Sequence, residues 1–162
     1  MYPLFLDLTG RRVVVVGGGR VATRRVGGLL EAGAVVHVVA PSVTDKLSAL
    51  VGQDSVSWEP RGYLPGDLEG ALLVHTATGV KGVDAQVAWD AAAAGIWCVN
   101  AADHARSAAW TPTIARGEGA AEGIEVAVTA GGDPRRAVRV RDAIADLLAA
   151  GGLPTARFRA AR

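Results

Sequence analysis

A single cysteine, Cys98, stands in the 162 residues, which excludes an internal disulfide and gives no support for secretion. Aromatic residues make up only 5% of the chain, so its apolar mass comes from Ala, Val and Leu. No apolar run approaches the roughly 18–20 residues that span a bilayer, so no membrane segment is expected. The start, MYPLFLDLTGRR, has no basic region ahead of its short apolar stretch and is not expected to be a signal peptide. The address these features imply is the cytoplasm. Net charge is only +1, so bulk electrostatics do not announce a nucleic-acid binder. Lysine is nearly absent as well: Lys46 and Lys81 are the only lysines among 17 basic residues. Arginine forks suit bidentate capture of carboxylates and phosphates. A GC-rich genome gives the same bias, so only clustered arginines carry weight.

What is present is a pattern of alternating strands and helices. Arg12 to Val16 is a β-branched run that ends in glycines, as a strand buried on both faces would. Ala22, Val26, Leu29 and Leu30 then recur at helical spacing, with Gly33 as a stop. Ala34 to Ala40 forms a second strand, closed by Pro41. Ser42 is placed to cap a helix carrying Val43, Leu47, Leu50 and Val51 on one face. Val56 to Trp58, Ala71 to Thr76 and Ile96 to Asn100 are further strands, with an alanine-rich helix from about Gly82 to Ala94. This order predicts a Rossmann-type α/β domain with a doubly wound parallel sheet over residues 1–108.

Beyond it the pattern changes. Trp110 to Ala115 and Ile124 to Thr129 read as a hairpin joined by a glycine-rich segment. Asp133 and Pro134 open a helix whose stripe is Ala137, Val140, Ile144 and Leu147. A hairpin and one helix are too small to bury their own apolar face, so residues 109–150 must pack on the first domain or on another subunit, and the favoured expectation is a dimerisation arm. The last residues, 151–162, show no periodicity and are expected to be a disordered tail.

Gly17-x-Gly19-x-x-Ala22 falls straight after the first strand and opens the first helix. Gly17 allows a tight turn, Gly19 lets a pyrophosphate approach the backbone, and Ala22 lets helix and strand pack closely. The exposed amides of the helix start, over Gly18, Arg20 and Val21, favour phosphates. A second strand of this kind ordinarily ends in Asp or Glu for the adenosine ribose, yet here Pro41 and Ser42 follow it. Pattern alone therefore leaves NAD and NADP both open.

Four segments, in order over roughly residues 2–148, resemble the precorrin-2 dehydrogenase / sirohydrochlorin ferrochelatase family, the N-terminal module of siroheme synthase. They are YPLFLDLTGRRVVVVGGGRVATRRV, HVVAPS, CVNAADHARSAAWTPTIARG and VAVTAGGDPRRAVRVRDAI. The resemblance implies NAD as cofactor and oxidation of precorrin-2 to sirohydrochlorin. It also implies insertion of Fe²⁺ in many members, and a homodimer whose arm exchanges between subunits. It places the catalytic aspartate on Asp103, where a carboxylate at the end of the fifth strand suits proton removal. Thr76, Ala77, Thr78 and Asn100, at the ends of the fourth and fifth strands, join the cofactor set. A polycarboxylate substrate draws attention to Arg106, Arg116, Arg135, Arg136 and Arg139, with Thr129, Gly131 and Gly132 in the loop before the last helix. The chain departs from the family pattern at Thr76-Ala77-Thr78-Gly79, which lacks an acid, and at Asp133, where a serine is usual. It also stops at Arg162, short of the helical domain that members usually add, which sets iron insertion apart from NAD binding. His37, His75 and Cys98 fall in or beside strands and are expected to pack, with no standing metal site. The competing expectation is a non-catalytic NAD-binding regulatory or partner subunit. A redox-sensing transcription factor would need a DNA-reading element, and the sequence offers none.

Overall fold

The computed structural model describes residues 2–154, which leaves most of the expected tail (155–162) outside the described residues. The chain divides into two compact units, Met1–Trp110 and Thr111–Arg162.

The first unit is built on a five-stranded sheet in the order β3-β2-β1-β4-β5, every pairing parallel. The strands are β1 (Arg12–Val16), β2 (Val35–Val39), β3 (Val56–Glu59), β4 (Leu73–Thr76) and β5 (Trp97–Asn100). β1 is central and buried on both faces because four consecutive valines serve two layers. Val13 and Val15 pack with Val36, Val38, Ala22 and Val26, while Val14 and Val16 pack with Val74, Val87, Ala91 and Cys98. Each fully buried valine contributes roughly 1.5–3 kcal/mol of transfer free energy. The first layer is covered by α1 (Arg20–Glu31), whose buried Ala22, Val26 and Leu29 keep the helical period. The second is covered by α3 (Lys81–Ala93), through Val87, Ala88 and Ala91. α1 ends because Gly33 takes φ +75°, letting its amide reach Leu30 and that of Ala34 reach Leu29.

Two local expectations change. Only one helical turn, α2 (Asp45–Ser48), follows β2, and its cap is Thr44, whose side chain accepts from the Leu47 amide at 3.2 Å. Ser42 is not the cap, because its carbonyl is packed against Gly18. Between β3 and β4 the chain makes a single 3-10 turn, Pro65–Leu68. Asp67 holds it by accepting a fork from Arg61 at 2.9 and 2.6 Å and the Leu64 amide at 2.8 Å. The Arg61 hydrogen bonds keep the Asp67 carboxyl below its ordinary range.

The second unit is an antiparallel pair, β6 (Thr113–Arg116) and β7 (Glu125–Val128), with α4 (Pro134–Ala149). Asp133 caps α4 by accepting from the Arg136 amide at 2.9 Å, with Pro134 at the first helical position. Its buried stripe differs from the expected one. Ala137 and Leu148 are buried, Leu148 in a cluster with Ala115 and Ala121 against which Ile144 packs. Val140 and Leu147 are 42% and 47% exposed, because they sit on the flank of the helix rather than over the hairpin. Among the described residues no helix is long and apolar enough to cross a membrane.

Candidate dinucleotide and catalytic site

Chain order reverses at β1, which lies between β2 and β4, and ligands of open α/β sheets bind at the carboxyl ends of strands beside such a point. Four loops meet there, following β1, β2, β4 and β5. The first is Gly17-Gly18-Gly19. Gly17 has φ +122°, and a Cβ on it would overlap the Ala77 carbonyl oxygen after β4. A Cβ on Gly18 would overlap the Ser42 carbonyl oxygen after β2. The turn is thus clamped from both sides, and the Thr44 amide donates to Gly18 O at 3.0 Å.

Gly19 differs from both, since a Cβ there would meet nothing within 4 Å. It is the N-cap of α1, with no side-chain cap and no acidic residue in the first turn. The first α1 amide to find a backbone acceptor is Thr23, which bonds Gly19 O at 2.9 Å. The Arg20, Val21 and Ala22 amides that precede it have no intrahelical acceptor, as at any helix start. An open backbone edge at the positive end of a helix fits a pyrophosphate. This local fit, rather than composition, supports a dinucleotide in the turn.

The loops after β4 and β5 are tied together by a residue outside every motif singled out above. Asp84, in the first turn of α3, is 1% exposed. Its Oδ1 accepts from the Thr76 hydroxyl, from the Thr78 amide at 3.0 Å and from the Thr78 hydroxyl at 2.8 Å. Its Oδ2 is buried with no hydrogen-bond partner among the described residues. The Asp84 carbonyl accepts from Asn100 Nδ2 at 3.3 Å. Asn100, itself buried, uses Oδ1 to hold the amides of Ala102 and Asp103 at 2.9 and 3.0 Å. Ser107 closes the same turn, donating to Asn100 O and accepting from its amide. No capping pattern in the sequence marks Asp84, since it is the fourth residue of α3 and reaches the Thr78 amide, whereas a capping-box acid sits at the third and reaches the N-cap amide.

Asp103 is carried outward by this turn, its side chain 46% exposed. Oδ1 accepts from the Ala105 amide at 2.9 Å, and Oδ2 lies 3.3 Å from Arg106 Nε. The His104 and Trp110 rings meet in a tilted contact, their centroids 5.2 Å apart and their planes at 60°. His75 and Cys98 are packed within β4 and β5: burial lowers the imidazole pKa to about 4 and raises the thiol to about 11.

Of the residues singled out in the sequence, Gly17, Gly18, Ser42, Thr76, Ala77, Thr78, Asn100 and Asp103 come together through these contacts. Arg20 and Val21 lie on the exposed first turn of α1, and Pro41 is exposed between β2 and Ser42. Arg116, Thr129, Gly131, Gly132, Arg135, Arg136 and Arg139 all lie in the second unit. Arg116 there pairs with Glu125 at 2.8 Å, and Gly131 and Gly132 both take positive φ.

Comparison with known proteins agrees with this geometry. The family model described as putative NAD(P)-binding matches residues 4–113. The siroheme synthase of Azotobacter vinelandii is 45% identical over 89 residues, covering 55% of this chain and 19% of that protein. That of Pseudomonas fluorescens is 46% identical over 89 residues, with the same shares. The probable multifunctional siroheme biosynthesis protein HemA of Ruminiclostridium josui is 39% identical over 95 residues, 59% of this chain and 18% of that protein. The match thus spans about a fifth of the length of these relatives. The solved structure of SirC, precorrin-2 dehydrogenase, superimposes with a TM-score of 0.74 at 27% identity, covering 90% of this chain and 70% of that one. By its match over residues 4–113 the chain belongs to the putative NAD(P)-binding family, as a relative of the siroheme synthases.

Proposed function

We propose that this chain is an NAD-dependent dehydrogenase that oxidises precorrin-2 to sirohydrochlorin. The observation that carries the proposal is the placement of Asp103 and the glycine turn at the same carboxyl edge of one sheet, joined through Ala77, Asp84 and Asn100. The likeness to SirC, precorrin-2 dehydrogenase, and to siroheme synthases supports the substrate.

NAD, when bound, supplies the hydride acceptor. Gly17, Gly18, Gly19, Arg20, Val21 and Ala22 would hold its pyrophosphate, and Pro41 and Ser42 its adenosine half. Thr76, Ala77, Thr78 and Asn100 would line the side toward the reaction. Asp103 then takes the proton that leaves the substrate as the hydride departs. Its present partner, Arg106, forms an exposed ion pair worth about 0.2–1 kcal/mol, which a substrate carboxylate can readily displace. Arg106 would then bind that carboxylate and leave Asp103 free. Arg116, Arg135 and Arg136, with Thr129, Gly131 and Gly132, complete the proposed substrate set, and a homodimer is part of the proposal. A cytoplasmic setting goes with it, consistent with Cys98 as a free thiol.

The test is turnover: purified chain, precorrin-2 and NAD⁺, followed by the sirohydrochlorin spectrum. No turnover despite NAD binding would favour a non-catalytic NAD-binding subunit. Iron insertion, the second proposed activity, is assayed separately with Fe²⁺ and sirohydrochlorin without oxygen. A rate no better than the protein-free background would remove it.

A further inference from the structure

We propose that Asp84 is a positioning residue that couples the dinucleotide turn to the turn carrying Asp103, and that it does so as a hydrogen-bond acceptor rather than as a charge. The NAD part rests on the reading that the glycine turn binds NAD. At 1% exposure Asp84 touches neither substrate nor cofactor, so any effect passes through its neighbours. On one side its Oδ1 gathers three donors from Thr76 and Thr78, the two residues that bracket Ala77. Ala77 in turn is packed on Gly17, so the height of this loop sets the floor of the glycine turn. On the other side, the Asp84 carbonyl anchors Asn100, whose side chain holds the Asp103 amide.

Oδ2 has no partner among the described residues. A buried oxygen left unsatisfied costs about 1–3 kcal/mol, and a buried carboxylate costs more. Capping α3 alone would not require this arrangement, because a serine or threonine at the N-cap, Val80, would serve from the surface. The acceptor is instead placed where one oxygen can collect the loop's hydroxyls and amide together. An asparagine at this position supplies the same oxygen and puts its amide nitrogen where Oδ2 now stands.

The experiment compares full-length wild type with Asp84→Asn, Asp84→Ala and Thr76→Val, the last chosen because Thr76 is fully buried and gives its hydroxyl to Asp84. NAD⁺ affinity is measured by calorimetry, and hydrogen exchange is followed at the amides of Thr78, Ala102 and Asp103. Asp84→Asn is expected to bind NAD⁺ within about twofold of wild type and to leave exchange unchanged, since one acceptor oxygen suffices. Asp84→Ala is expected to weaken binding about tenfold or more and to speed exchange in both loops, with Thr76→Val moving the same way by less. If Asp84→Ala does not fold, Thr76→Val against Asp84→Asn decides. Wild-type binding and exchange in Asp84→Ala would overturn the proposal. So would Asn weakening binding as much as Ala, or exchange rising in the Thr78 loop alone. If wild type itself binds no NAD⁺, the reading of the glycine turn fails, while exchange across the two loops still decides the coupling.

Discussion

The Ala77 carbonyl oxygen occupies the place where a side chain on Gly17 would begin, whereas the same position on Gly19, two residues on, opens onto empty space. The two glycines therefore serve different ends. Gly17→Ala must both hold alanine at φ +122° and displace the loop after β4. The backbone cost alone is roughly 1–3 kcal/mol. Thermal or urea unfolding is expected to show a clear loss of stability in this variant. Gly19 already has φ −79°, so Gly19→Ala is expected to lose only the N-cap preference for glycine over alanine, about 1 kcal/mol or less. Its methyl group would stand in the path of the pyrophosphate, and NAD⁺ affinity should fall by about tenfold or more. Wild-type affinity in Gly19→Ala would remove the turn as the phosphate site.

Asp103→Asn separates chemistry from structure. Asparagine can still accept from the Ala105 amide, and the lost pairing with Arg106 is an exposed one. Stability should therefore change by less than about 1 kcal/mol. A general base ordinarily contributes about 10²–10⁴-fold, so kcat for precorrin-2 oxidation should fall within that range while NAD⁺ affinity is kept. Arg106→Gln should instead raise KM for the substrate, because it removes a carboxylate partner. Unchanged turnover in Asp103→Asn would move the base elsewhere.

The sheet was legible because its signal is local and redundant. Four valines in a row, glycines after them, and a 3.6-residue apolar period next can hardly be satisfied by another arrangement. The glycine turn was legible for the same reason. Asp84 was not, since nothing in an alanine-rich helix shows that one carboxylate will be folded back under the preceding loop. The flank of α4 was misjudged for a related cause. Ala137, Val140, Ile144 and Leu147 fit a helical period, but so do Ala137, Ile144 and Leu148, and only the packing of Ile144 and Leu148 with Ala115 and Ala121 chooses between them. The short α2 shows competition of another kind, with Thr44 rather than Ser42 taking the cap because the Ser42 backbone is committed to Gly18.

His75 gives the fold a sensitivity to acid. Burial holds its imidazole neutral, with a pKa of about 4 against 6.5 for the unfolded chain. The unfolded state therefore binds the proton more readily. Its contribution is fully present above pH 6.5 and is lost as pH falls from there toward 4. At about 1.36 kcal/mol per pH unit, the loss is on the order of 3 kcal/mol. Asp67, held below its ordinary value by Arg61, adds a second loss only at lower pH, below about 3.8. Stability measured by urea between pH 7 and 4 should fall in wild type and fall much less in His75→Gln, which keeps only the smaller loss from His37, whose pKa burial also lowers. An equal slope in both would exclude His75 as the cause.

The second unit leads to the prediction about assembly. Its buried cluster consists of Ala115, Ala121 and Leu148, a small core for a hairpin and a sixteen-residue helix. Val140 and Leu147, seven residues apart, share the flank of α4 that this core leaves uncovered. If the proposed homodimer forms through that flank, placing glutamate at both positions puts two charges into an apolar contact, which opposes association far more than it disturbs the monomer. Sedimentation velocity should then find a dimer for wild type and a monomer for the Val140→Glu, Leu147→Glu double variant. Substituting Val80, exposed before α3, should leave the dimer intact. A wild-type chain that sediments as a monomer at every concentration would refute the homodimer. A double variant that remains dimeric would instead place the contact on another surface.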